Sequence, residues 1–276
     1  MPDQEILNGF VDKKGNFWLS TNIGLFNYNG KNFIRLSIEN GLPTNSIKSF
    51  YEDKYGVYCI GSSQGLCKFE GSKFEIFTTA YGLPHDEVAR THVDQNNQVL
   101  ISTEGGLFVK GKYKNEIFDS KNGLSKFGLH SSIIDNTNTI WVAQPFYGVS
   151  KHDGKSFKHL DLPKWEKLTG GYIFPRTIFQ DSKSNIWISS DMGVAKYSEG
   201  NITYYDGFTT NDTVVDIENI TEDKKGNIWF MHRSKLIKFD GNNFNVLNSK
   251  NGLPADFVYN IIQLNDTTYW IATQMD

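Results

Sequence analysis

The sequence writes DKKGNFW at residues 12–18 and DKKGNIW at residues 223–229. Near-identical strings 211 positions apart mark a chain assembled from copies. The tryptophan position is refilled at Trp18, Cys59, Leu100, Trp141, Trp187, Trp229 and Trp270, in steps of 41, 41, 41, 46, 42 and 41. Copies of about 42 residues lie in the interval of four-stranded propeller blades, each too thin to bury its faces without neighbours. The copies run approximately 1–39, 40–80, 81–121, 122–162, 163–207, 208–250 and, as a partial unit, 251–276.

Each copy has the same grammar, seen from Asn45 to Phe77. An apolar strand ends in Asp53, a turn carries Gly56, VYCIG forms a second strand, and a loop reaches Gly65. LCKF and KFEIF supply two more strands, with alternation of period two. In the turn, the Asp carboxylate accepts local N–H bonds and a residue at positive φ closes the hairpin. Gly15, Gly56 and Gly226 suit that position, Asn97 and Asn138 tolerate it, and Ser184 and Thr267 break the rule. These two turns are expected to differ or to carry strain. Corners between copies read NGLP (40–43), YGLP (81–84), NGLS (122–125), DGFT (206–209) and NGLP (251–254). Glycine, an apolar plug and proline make a stiff structural corner. No segment sustains helical apolar spacing for three turns, so almost no helix is expected. The expected fold is an all-β propeller of four-stranded antiparallel blades, with seven repeats, the seventh incomplete.

A formal net charge of -3 with scattered Lys and Arg provides no basic stripe for phosphates, which argues against nucleic-acid binding. No apolar run reaches the length of a membrane span, so no direct membrane insertion by this segment is expected, and MPDQEILNGF lacks the pattern of a signal peptide. Cys59 and Cys67 are expected to be free, buried thiols, although their pairing register is not readable from spacing.

Asp-x-x-Gly-x-[Phe/Ile]-Trp, then Gly-Leu, then [Asp/Glu/Asn]-Gly, a Phe-containing strand and Asn-Gly-Leu-Pro resembles the two-component regulator propeller repeat across essentially the whole chain. That resemblance implies a seven-bladed propeller from the periplasmic or extracytoplasmic sensor region of a hybrid two-component histidine kinase, many of which respond to polysaccharide fragments. The kinase and membrane parts would belong to a longer parent. The half-blade at the end implies an edge covered by the remainder of that sensor chain or by a homodimer partner.

Within each copy the loops between second and third strands are the natural binding rim, since the Asp turns occupy the other end of the hairpin. Three of these loops are irregular: AQPFYG offers Gln144, Phe146 and Tyr147, SSDMG offers Asp191, and MHRSK offers His232 and Arg233. The link DLPKWEKLTGGY, which stretches one step to 46, adds Trp165 and Tyr172. Aromatic rings beside Arg, Asp and Gln suit an oligosaccharide or other small polar ligand: rings stack on sugar CH faces, hydroxyls take directional bonds, and Arg clamps an acidic sugar. Asn8, Ser49, Arg90, Ser131, Thr177, Asn219 and Asn260 recur at one register of the first strands, flanked by Lys48, His130, Arg176 and Glu218. This column is read as lining a hydrated channel.

No metal-ligand spacing, nucleophile elbow or phosphate loop occurs, so no cofactor, metal or catalytic residue is assigned. A ligand-sensing module is the preferred function, with a protein-interaction scaffold as the alternative. A propeller polysaccharide lyase built on His232 and Arg233 is the minor alternative.

Overall fold

A computed structural model describes residues 6–53, 55–94, 96–111, 114–205, 216–253, 257–263 and 265–274. The chain divides into two compact units, Met1–Ser132 and Ile133–Asp276. In the first, three meanders follow one another: β1 (Ile6–Val11), β2 (Phe17–Thr21), β3 (Gly24–Tyr28) and β4 (Phe33–Leu36); then β5 (Ile47–Glu52), β6 (Tyr58–Ser62), β7 (Gly65–Glu70) and β8 (Lys73–Phe77); then β9 (Val88–Val93), β10 (Val99–Thr103), β11 (Gly106–Lys110) and β12 (Asn115–Phe118). The boundary between the units falls inside β13 (Ser131–Ile134), the first strand of blade four.

Blade four continues with β14 (Ile140–Gln144), β15 (Gly148–His152) and β16 (Phe157–His159), and α1 (Pro163–Thr169) follows. Blade five is β17 (Pro175–Gln180), β18 (Ile186–Ser190), β19 (Gly193–Ser198) and β20 (Asn201–Tyr205); blade six is β21 (Ile217–Glu222), β22 (Ile228–His232), β23 (Lys235–Phe239) and β24 (Phe244–Leu247). The seventh repeat contributes β25 (Phe257–Gln263) and β26 (Tyr269–Gln274). There are six four-stranded antiparallel blades rather than seven, and the seventh repeat is a two-stranded sheet among the described residues. The extra residues of the 46-residue step form the one α-helix described.

The turn chemistry follows the sequence. Gly15, Gly56 and Gly226 lie at φ 83°, 82° and 79°, with Asn97 and Asn138 at 64° and 63°. Ser184 adopts the same left-handed conformation at φ 68°, so this turn carries the strain, whereas Thr267 avoids it. In the corners, Gly41, Gly82, Gly123 and Gly252 have positive φ, and Leu42, Leu83, Leu124 and Leu253 are buried plugs. Burial of each such leucine contributes ~1.5–3 kcal/mol. The corner at 206–209 lies outside the described residues.

The Asp turn also ties blade to blade. Asp12, Asp135, Asp181 and Asp223 each accept the indole N–H of their own blade's Trp18, Trp141, Trp187 and Trp229 at 2.7–3.0 Å. Tyr58 of blade two also donates to Asp12 at 2.8 Å, and Tyr269 of the seventh repeat to Asp223 at 3.0 Å. The residue before the next Asp, or its counterpart, then caps the preceding turn: Glu52 accepts from Lys13 N–H, Gln180 from Asn136, Glu222 from Ser182 and Gln263 from Lys224. Apolar clusters fill the space between successive sheets, such as Trp18 with Phe50, Tyr58 and Phe69 in the first unit. Trp187 with Phe230, Ile237 and Phe239 does the same in the second.

Cys59 and Cys67 are free and buried. Cys59 pairs with Lys68 and Cys67 with Ile60, so the two thiols point to opposite faces of one hairpin. Burial raises their pKa values to about 11 and about 12, which leaves both as protonated, unreactive packing groups.

Candidate functional site

Every first strand for which a pairing register is described is bulged near the polar column. The register shifts between Ile47 and Ser49, between Pro175 and Ile178, between Ile217 and Asn219, and between Val258 and Asn260. A bulge adds an unpaired residue and re-aims its side chain. Lys48, Arg176 and Glu218 stand at these bulges. Within the column Ser49, Ser131, Thr177 and Asn260 are buried, whereas Arg90 and Asn219 are partly exposed. Thr177 Oγ1 donates to Glu218 O at 3.1 Å, and the Ser49 and Thr91 hydroxyls lie 3.3 Å apart.

In the second unit the bulges build a charged cluster. Arg176 donates from Nε to Asp216 Oδ1 at 2.9 Å and from Nη2 to Oδ2 at 3.0 Å. Arg233, from the loop between β22 and β23, reaches Asp216 Oδ2 at 3.1 Å and Glu218 Oε1 at 3.5 Å. Asp191, between β18 and β19, keeps Oδ1 buried without a hydrogen-bond partner. Burial, reinforced by the charge of Asp216, raises its pKa despite Arg176. The arginines are thus committed to carboxylates, and Arg233 is no vacant anion clamp.

Aromatic rings extend this cluster into blade four. Phe174 lies 5.2 Å beneath the Arg176 guanidinium, and Phe146 meets Phe174 edge-on with centroids 5.1 Å apart. Phe146 and Tyr147 are exposed in the β14–β15 loop, and Tyr172 is 70% exposed two residues before Phe174. In this loop Tyr147 N–H donates to Gln144 O at 3.2 Å, Pro145 takes the second position and Phe146 the third, at φ 62°. Turns of this shape ordinarily place glycine there, so an exposed phenylalanine is held in a strained backbone. Tyr147 packs on His159, centroids 5.5 Å apart, and His159 Nε2 lies 3.3 Å from Glu166 of α1.

Two nominated residues are corrected. Trp165 is 1% exposed, the buried anchor of α1 among Ile133, Leu162 and Ile173, because its length lets the short helix plug the blade four core. Gln144 is fully buried and donates to Ser150 at 2.8 Å. It holds the register at which Thr21, Ser62, Thr103 and Ser190 donate to Gly24, Gly65, Gly106 and Gly193 and staple the loop. His232 holds that register in blade six, where Nδ1 accepts Ser234 N–H at 3.2 Å. Its neighbour Arg233 turns to Asp216 and Glu218, so these two side chains engage separate partners.

Phe146, Tyr147, Tyr172, Asp191 and Arg233 remain on or beside the rim. Phe174 and Asp216 join them and were not singled out by sequence. Phe174 lies in the same link just past the DLPKWEKLTGGY stretch, immediately before β17, and Asp216 immediately before β21; a repeat-phased comparison of residues just before each first strand is the signal that finds both. Among the described residues, His159, Asp161 and Glu166 form one group with ligand atoms within 4.8 Å of one another. Glu166 Oε1 is already engaged by Leu162 N–H at 2.8 Å and by His159, which anchors the start of α1.

No protein-family model matches the chain, and neither does any curated protein. Solved structures do. The extracellular domain assigned to the hybrid two-component system BT4673 from B. thetaiotaomicron superposes with a TM-score of 0.80 at 20% identity, over 99% of this chain and 37% of that one. The corresponding domain of BT3049 from the same organism gives 0.82 at 19%, over 99% and 39%. Virginiamycin B lyase from Staphylococcus aureus gives 0.76 at 14%, over 99% and 92%. The chain therefore has a β-propeller fold, similar to that of two-component extracellular domains, and spans well under half the length of those two chains. No described helix is long and apolar enough to cross a membrane.

Proposed function

We propose that this chain is a non-enzymatic recognition module of a longer extracytoplasmic sensor, and that the rim of blades four to six binds a neutral carbohydrate. The observation that carries this reading is the continuous contact path from the exposed ring of Phe146 through Phe174 and Arg176 to Asp216 and Arg233. Rings supply stacking surface, and the exposed Tyr147, Tyr172 and Arg233 bring polar groups for sugar hydroxyls. Asp216 and Glu218 offset Arg176 and Arg233, so the cluster offers no uncompensated positive charge to an acidic sugar. The likeness to sensor domains supports the signalling role. His232 and Arg233, engaged with separate partners, offer no convergent acid–base pair for a lyase.

The test is a thermal-shift and calorimetric screen against neutral and acidic oligosaccharides, repeated with Tyr147→Ala and Tyr172→Ala. Saturable binding of a neutral glycan, weakened in both variants, supports the site. Binding confined to acidic glycans, or indifferent to both substitutions, rejects it.

A further inference from the structure

The spaces between the Asp turns differ in size at three pairs of successive blades. At blades six and seven, Trp229 and Tyr269 both donate to Asp223, and the cavity beside them is about 30 Å³. At blades four and five Trp141 is kept, Ile186 replaces the tyrosine, and the cavity is about 270 Å³. At blades two and three, inside the first unit, Cys59 replaces the tryptophan and Val99 the tyrosine, and the cavity is about 610 Å³. Such a volume lies within the range of small-molecule clefts, roughly 300–1,000 Å³.

The loss of the indole leaves its partners in place. Asp53 is 8% exposed and lines the cavity. Its Oδ1 accepts Tyr55 N–H at 2.8 Å and Val57 N–H at 2.9 Å, as in the other turns. The three side chains that reach Oδ2 of Asp12, those of Asn16, Trp18 and Tyr58, correspond here to Val57, Cys59 and Val99. Among the described residues none donates to Asp53 Oδ2. A lysine also stays: Lys151, Lys196 and Lys238 each hold Nζ 5.6 Å from the ring of the tryptophan they pair with. Lys68 pairs with Cys59 in that position and lines the cavity, with Leu66 as an apolar wall.

We propose that this cavity binds a free, planar indole-type small molecule, seated where the missing tryptophan would lie. Its ring N–H donates to Asp53 Oδ2, its edge packs on Leu66 and Val99, and Lys68 stands beside its face. The slot lies at the turn end of β6, the opposite end of that strand from its β6–β7 loop, and does not depend on the proposed carbohydrate rim.

Indole is the probe, followed by calorimetry and by backbone amide shifts of the whole chain. Saturable binding that shifts the amides of Val57, Leu66 and Val99 is expected. 1-Methylindole, which keeps the ring and lacks the donor, should bind about tenfold more weakly, the loss of one hydrogen bond to a charged acceptor. Cys59→Trp fills the slot and should abolish binding. Absence of saturable indole binding, equal binding of the two probes, or binding that survives Cys59→Trp overturns the proposal. If that variant does not fold, the two probes on the unaltered protein decide alone.

Discussion

Asp216 receives Arg176 in a two-bond, fork-to-fork pair at 2.9 and 3.0 Å while its Oδ2 also meets Arg233 at 3.1 Å. One carboxylate thereby fixes a bulge residue of blade five and a loop residue of blade six. The rim is held by charge pairing rather than by loop length.

Asp216→Ala should accordingly destabilise the second unit by about 2–4 kcal/mol, since two guanidinium groups lose their shared partner. Arg233→Ala should change stability by less than ~1 kcal/mol, because Arg233 is 55% exposed and its pairing is screened by solvent. Urea denaturation of both variants and the double variant measures the coupling. Equal costs for the two single substitutions contradict the assignment of Asp216 as the hub.

Trp165→Ala should cost ~3–5 kcal/mol as a core truncation. Trp165→Phe should cost far less, because the buried indole N–H has no partner to lose. Thermal melts of the two variants separate a packing role from a ligand contact, which predicts normal stability in both.

Phe146→Gly removes the ring but relieves a left-handed residue, so the variant should be more stable than Phe146→Ala by ~1 kcal/mol. Both should lose glycan response. A glycine variant no more stable than the alanine variant removes strain from the description of this loop.

Burial pushes the Asp223 carboxyl up, but hydrogen bonds from Asn227, Trp229 and Tyr269 outweigh it and hold the group at about 2 against an ordinary 3.8. A depressed carboxylate contributes stability fully above its unfolded value and loses it as pH falls toward the folded one. Unfolding midpoints should therefore drop between about pH 4 and pH 2. Asp223→Asn should lower stability at neutral pH and flatten that fall. An unchanged acid slope in this variant shows that other carboxylates carry the transition.

The blades were legible because their information is local and repeated. An Asp turn, a glycine at positive φ and a leucine plug each act within a few residues, so seven imperfect copies average out their own exceptions. Cys59 and Leu100 in the tryptophan position did not hide the period. The irregular loops of blades four to six were legible for the same reason, as departures from a known register. Roles within those loops were not. Gln144 and Trp165 look like ligand residues by type, yet one staples a hairpin and the other plugs a core. Burial depends on what stands on the neighbouring blade, which no single repeat encodes. The pairing of Arg176 with Asp216, 40 positions on, is of the same kind. So is the cavity beside Asp53, which Val99, a residue of the next blade, helps to line. Local periodicity sets the blade; contacts between blades set which polar groups are satisfied, which are left seeking a partner, and therefore where this protein can bind.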